Sequence, residues 1–179
     1  MDGHPPFSPR EVAAVFAEPR LRALRILHLA MPAGVLAFVA VSLAIAFDPP
    51  QGSAAPGMPI LLSAVTAALT AGAWVAAFRV HSVLLARGVE TARKPDELLP
   101  AVQKARIVRL ALLEAPALFG GLALLFAALD GSLRSQPLLV LNALPAAGFA
   151  AFSWATRPRS EALVEEIAAV ERDRTSRLR

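Results

Sequence analysis

The chain has 179 residues, of which 56% are hydrophobic, and a formal net charge of +4. With a mean hydropathy of +0.54 and long apolar runs, it leaves no stretch able to bury a separate soluble core. The absence of cysteine excludes disulfides, thiolate metal sites and cysteine nucleophiles. Because the basic residues do not form a patch with interleaved aromatics, we expect no nucleic-acid partner.

Residues 1–25 form a segment that we expect to be cytoplasmic. Its Ser-Pro-Arg-Glu motif at 8–11 predicts a helix start, because Ser caps the first turn, Glu reaches back to the cap, and Pro is tolerated there. The side chains of Val12, Val15 and Phe16 would share one side of this short helix. The helix then lies either on the inner leaflet or in solvent, and the sequence leaves both interpretations open.

Four apolar stretches follow, each close to the about 20 residues that a helix needs to cross a bilayer. They predict an all-α, polytopic membrane domain over residues 26–155. No nucleophile with His and acid partners and no phosphate-binding glycine loop is visible, so we expect neither enzymatic activity nor a metal or cofactor. The predicted spans cover residues 26–47, 59–86, 107–129 and 137–155.

Lys and Arg are distributed unevenly among the connections. The N-terminal segment, the connection between the second and third spans and the C-terminal tail each carry several, whereas residues 48–58 carry none and residues 130–136 only Arg134. By the positive-inside rule the first three regions are cytoplasmic. We therefore expect a multi-pass protein of a bacterial-type inner (plasma) membrane with both termini in the cytoplasm and the lipid bilayer as a partner.

Residues 156–179 are predicted to form a cytoplasmic C-terminal helix that begins at Ser160. Leu163, Ile167 and Val170 fall on one stripe, which makes this helix amphipathic. The stripe could dock on the connection between the second and third spans, on a partner protein or on lipid. A solvated tail helix is the simplest alternative.

The spans are rich in alanine, with glycines scattered among them. Small residues let membrane helices approach closely. This composition favours tight packing, either within one bundle or in a homo-oligomer or a larger membrane complex.

Glu114 is the one acidic residue that falls within a predicted span. Counted from Ile107, the helix rise places it about 10 Å inside the bilayer. A carboxylate in hydrocarbon is a functional-site hypothesis by default: Glu114 would bind a proton or cation, or form a structural ion pair. Arg79 and Arg109 are the candidate partners, and the position of the turn between the two helices decides whether they reach the acid or lie at the headgroups.

The hairpin at residues 84–129 resembles the proteolipid (c) subunits of rotary ATP synthases. The resemblance rests on Ala-Arg-Lys-Pro-Asp at 92–96 and Leu-Leu-Glu-Ala-Pro-Ala-Leu-Phe-Gly at 112–120. In that family a cytoplasmic loop joins two helices, and the second helix carries the ion-binding carboxylate. The resemblance therefore implies that Glu114 carries a proton or cation. The rotor-facing turn that it implies consists of Arg93, Lys94 and Pro95.

Three functions are compatible with this sequence. The chain is expected to be a non-enzymatic membrane component whose activity the sequence does not state. Alternatively, it translocates protons or cations through Glu114. The third alternative is an accessory or assembly factor that binds a membrane complex through its two amphipathic terminal segments.

Overall fold

The structure, a computed structural model, describes residues 7–47 and 57–177. Within these ranges all regular structure is helical, and four helical segments are long and apolar enough to cross a membrane. The predicted all-α class and the number of membrane-length segments are confirmed. Most of the predicted outer loop at 48–58 and the outermost parts of the predicted terminal segments lie outside the described residues.

Seven α-helices and two 3-10 segments make up the described chain. The 3-10 segments are Pro95–Glu97 and Pro137–Ala143. The helices are α1 (Pro9–Val15), α2 (Glu18–Ile45), α3 (Met58–Thr91), α4 (Leu98–Leu129), α5 (Ser132–Ser135), α6 (Leu144–Ala155) and α7 (Ser160–Arg177).

Helices α3 and α4 extend well beyond the predicted spans, to Thr91 and from Leu98. Hydropathy detects only their apolar parts. The extensions are amphipathic, with side chains such as Val89 and Val102 buried and charged, helix-favouring residues on the other face. Pro95 ends the run, since the residue before a proline is pushed into extended backbone and Lys94 has φ −131° and ψ 148°.

The described residues divide into two compact units. The first, called here the terminal unit, contains the described residues of Met1–Leu27, Phe78–Arg109 and Arg157–Arg179. The second, called the apolar unit, contains those of His28–Ala77 and Leu110–Thr156.

No single stretch of the sequence was expected to bury a separate core, but the terminal unit has its own hydrophobic core because it assembles one from three separate parts of the chain. Phe16 beside α1, Leu163 and Ile167 on α7, and Val89 and Val102 near the α3–α4 turn belong to one buried cluster. Full burial of an aliphatic side chain contributes about 1.5–3 kcal/mol. The apolar edge of α1 thus packs into protein, and the stripe of α7 packs against the α3–α4 connection.

The apolar unit depends on two glycines of α4 for its close packing. A Cβ added at Gly121 would lie 2.7 Å from Cδ1 of Phe38 on α2. A Cβ at Gly120 would overlap the backbone carbonyl oxygen of Asn142. Glycine therefore lets α2 and the second 3-10 segment approach α4 closely.

Polar side chains of the apolar unit bond to backbone or to each other. Ser153 Oγ donates to the carbonyl of His28 at 2.6 Å. Asn142 Nδ2 donates to Ser63 Oγ at 2.7 Å and to the carbonyl of Leu139 at 2.9 Å. These bonds satisfy polar groups that would be costly to leave unpaired in an apolar environment.

Candidate functional site

Glu114 lies on α4 within the apolar unit, where its side chain is half-buried. Leu110 and Ala117, one turn to either side, are buried, while Ala111 and Leu118 are exposed. The carboxyl group therefore sits at the edge of the buried face of α4. No described residue of the apolar unit forms an ion pair or hydrogen bond with it.

Arg79 and Arg109 both belong to the terminal unit. The turn between Thr91 and Leu98 places the two arginines at about the same level of the α3–α4 hairpin. Arg79 is exposed and Arg109 is buried. Arg109 lies within the electrostatic influence of Arg106 and Glu166. Its pairing with Glu114, like that of Arg79, stays a prediction.

The predicted turn residues lie on the surface of the terminal unit. Arg93 and Lys94 are exposed, and Pro95 is half-buried at the start of a 3-10 segment. The backbone N–H of Arg93 donates to Oε2 of Glu97 at 2.7 Å. The turn is thereby held closed, and the interpretation that it faces a rotor stays a prediction.

A buried ion cluster that the sequence did not predict joins three helices of the terminal unit. Glu166 on α7 contacts His81 on α3, with 2.8 Å between Oε1 and Nε2. Arg106 on α4 donates from Nη2 to Oε2 of Glu166 at 2.6 Å. The side chains of His81 and Arg106 are 8% and 7% exposed, and that of Glu166 is 24% exposed.

The charge of Glu166 is set by competing effects. Burial raises the pKa of its carboxyl, but the hydrogen bond with His81 and the charge and hydrogen bond of Arg106 outweigh burial and lower the pKa to about 2. Glu166 is therefore ionised at neutral pH. Its negative charge compensates that of the buried Arg106, which it contacts, and also acts on the nearby buried Arg109.

The geometry of this cluster fits a structural role, the linking of helices. Both carboxylate oxygens of Glu166 are engaged, and Nδ1 of His81 is buried without a hydrogen-bond partner, so the imidazole offers no accessible nitrogen to a substrate. Among the residues that the structure describes, no group of three His, Cys, Asp or Glu could hold a metal ion. The cluster instead ties α7 to the hairpin.

One signal in the sequence could have found the cluster. His81 is four residues before Leu85 and eight before Val89, on the apolar stripe of α3. Glu166 is three residues after Leu163 and four before Val170, and therefore borders the apolar stripe of α7. A charged or titratable residue on an apolar stripe indicates a buried partner. His81 and Arg106 lie 85 and 60 positions from Glu166 in the chain. The sequence alone therefore did not predict that these residues are in contact.

The apolar unit also contains an open groove of about 900 Å³ beside α3, lined partly by Ser63, Thr66 and Thr70. These hydroxyls donate to carbonyls one turn earlier in α3, at 2.7–2.8 Å. They are satisfied within their own helix. The groove consequently offers mainly apolar surface and no catalytic group.

Comparison with protein-family models, curated proteins and solved structures finds no match to this chain. The resemblance of residues 84–129 to proteolipid subunits rests on the sequence pattern alone.

Proposed function

We propose that this chain is a non-enzymatic integral membrane protein that crosses a bacterial-type inner membrane four times. Four helical segments support this proposal, since the part of each within the apolar unit has about 20 residues and a length of about 30 Å, the thickness of a hydrocarbon core. The fourth combines the second 3-10 segment with α6. Large apolar side chains also cover its surface, among them Leu69 (44% exposed) and Leu144 (62% exposed). Lipid accommodates such a surface, and water does not.

Four arginines support the proposed orientation. Arg25, Arg79, Arg109 and Arg157 each lie within three residues of a boundary of the apolar unit. All four boundaries fall on the same side of the predicted topology, where positive charge favours the cytoplasm. The other ends of the spans carry only Arg134. In this topology the terminal unit is cytoplasmic, together with both chain termini.

Within this topology the chain acts as an accessory or assembly factor of a membrane complex. The observation that carries this role is the folding of α1, the α3–α4 turn and α7 into a unit with its own core and ion cluster. Four crossings do not require such a unit. Ordered helices outside the bilayer instead provide a rigid surface for another protein.

The accessory role is tested by the native mass of the protein extracted from its own membranes in mild detergent. The wild type should co-purify with a second polypeptide. Ile167→Asp, which places a charge in the core of the terminal unit, should lose that partner. Ala162→Asp, at an exposed position of the same helix, should retain it. A wild type that occurs only as a monomer or homo-oligomer would contradict the role.

Proton or cation binding at Glu114 is the second candidate function. It is favoured by a half-buried carboxyl group that no described residue of the apolar unit pairs with, and by the resemblance to proteolipid subunits. In this function Glu114 is a reversible carrier within a homo-oligomer or membrane complex.

A hydrophobic carbodiimide, which reacts with protonated carboxyl groups in membranes, tests this candidate. It should modify the wild type near neutral pH and leave Glu114→Gln unmodified at the peptide containing residue 114. A wild type that stays unmodified there at every pH examined would exclude the carrier role.

A further inference from the structure

Helices α1 and α7 enclose a groove of about 650 Å³ on the surface of the terminal unit. Ala13 of α1 and Ala17, two residues beyond the end of α1, form one side of it. Val164 and Ala168 contribute the apolar part of its α7 side. The opposite side of α7 is occupied, because Leu163 and Ile167 point into the core. The groove is thus a second face of α7 that no residue in the described ranges 7–47 and 57–177 covers, and its small side chains leave room for a helix.

The dimensions of the groove fit a short helical segment. Its α7 side extends from Glu161 to Arg172, which at the helix rise is about 16 Å. A partner helix of about three turns would cover this length. In helix-in-groove recognition the inserted helix carries apolar anchors three and four residues apart, and Val164 and Ala168 offer such anchors an apolar surface.

Two carboxylates, Glu161 and Glu165, and one cation, Arg172, line the groove, so its lining is net negative and the negative charge lies toward the start of α7. Glu161 and Glu165 are exposed and lie one turn apart on the same rim. Glu161, in the first turn of α7, also complements the helix dipole, but Glu165 is a turn further on and has no such explanation. Two acidic side chains repel the anionic headgroups of an inner leaflet and attract Lys or Arg of a protein.

We propose that this groove binds one amphipathic helix of a different polypeptide. The side of that helix that faces the floor of the groove is apolar, and the side that passes Glu161 and Glu165 carries Lys or Arg. The proposal rests on the accessory role given above and names the partner class for it. Neither α1 nor α7 of a second copy of this chain supplies the helix, because the apolar edges of both are buried in their own core.

Charge reversal in the groove tests the proposal. Glu165→Lys should reduce the amount of co-purifying partner about tenfold or more, since it opposes like charges across the contact. Glu90→Lys, at an exposed position of α3 in the same unit, is the matched control and should retain the partner. An unchanged melting temperature of Glu165→Lys would establish that the terminal unit remains folded.

Crosslinking locates the partner. Because the chain has no cysteine, Ala168→Cys carries the only thiol, and a thiol-to-amine reagent should join it to a lysine of an amphipathic helix in the co-purifying polypeptide. A partner that survives Glu165→Lys and does not crosslink to residue 168 would overturn the groove and leave the accessory role intact. A crosslink to a second copy of this chain would also overturn it. The absence of any partner in the wild type would overturn both.

Discussion

The carboxylate of Glu166 accepts a 2.6 Å hydrogen bond from the guanidinium of Arg106, and this pair ties the C-terminal helix to the start of α4. His81 holds the second oxygen of the same carboxylate. One acidic side chain therefore joins three helices. A buried ion pair adds little net stability when complete, but losing one partner leaves an uncompensated buried charge.

Removing the charge of Glu166 should loosen α7. Glu166→Gln removes the negative charge that contacts Arg106 and acts on Arg109, and the opening free energy of α7 should fall by about 3 kcal/mol. Amide hydrogen exchange of α7 at neutral pH should then be about a hundredfold faster. Glu165→Gln, on the exposed face of α7, is the control. Equal protection in the two variants would contradict the structural role of the cluster.

The same contact should make the docking of α7 sensitive to acid. The folded-state pKa of Glu166 is lowered from the ordinary 4.5 to about 2. Its contribution is therefore fully present above about pH 4.5 and is lost as pH falls toward 2. Protease susceptibility of α7 should rise between pH 5 and 3 in the wild type. In Glu166→Gln the protease susceptibility of α7 should rise less between pH 5 and 3, because the titrating carboxyl group is absent. An equal rise in the variant and the wild type would contradict the role of Glu166 in this acid sensitivity.

Much of the fold could be predicted because its signals are local. Four apolar runs of sufficient length give the spans, and the Ser8 capping box is present, with Oε2 of Glu11 2.8 Å from the backbone nitrogen of Ser8. The lengths of α3 and α4 could not be read from hydropathy, since beyond Ala86 and before Ile107 both helices become amphipathic. The spacing of apolar residues indicates how far an amphipathic helix extends, and mean hydropathy does not.

The candidate site could be predicted only in part. Glu114 is recognisable because a carboxylate interrupts an apolar run. The His81–Glu166–Arg106 cluster depends on the docking of α7, and amphipathicity left several docking surfaces open for that helix. The groove between α1 and α7 depends on the same event. Long-range packing therefore accounts for what the sequence did not specify.

The two adjacent glycines of α4 should tolerate alanine differently. At Gly120 a Cβ meets backbone, the carbonyl oxygen of Asn142, whereas at Gly121 it meets the side chain of Phe38. A side chain can rotate away at lower cost than backbone can move. Gly120→Ala should therefore destabilise the protein by about 1–3 kcal/mol in detergent unfolding, and Gly121→Ala by less.

Gly72→Ala is the matched control for this pair, because nothing lies within 4 Å of a Cβ added at Gly72. Its unfolding midpoint should equal or exceed that of the wild type, since alanine favours helix more than glycine does. A Gly120→Ala midpoint equal to that of Gly72→Ala would contradict the close approach of α4 to the second 3-10 segment.

Single cysteines introduced into this cysteine-free chain should report the proposed topology. Ser135→Cys lies in the connection between the last two spans, and Lys94→Cys lies in the α3–α4 turn; both positions are exposed. A membrane-impermeant maleimide should label residue 135 in intact spheroplasts and residue 94 only in inverted vesicles, because the arginines at the span boundaries favour the cytoplasmic side. Ala162→Cys on α7 should behave like Lys94→Cys, as the terminal unit contains both positions. Labelling of residues 94 and 135 from the same side would be incompatible with an odd number of crossings between them and would remove the basis for a cytoplasmic docking surface.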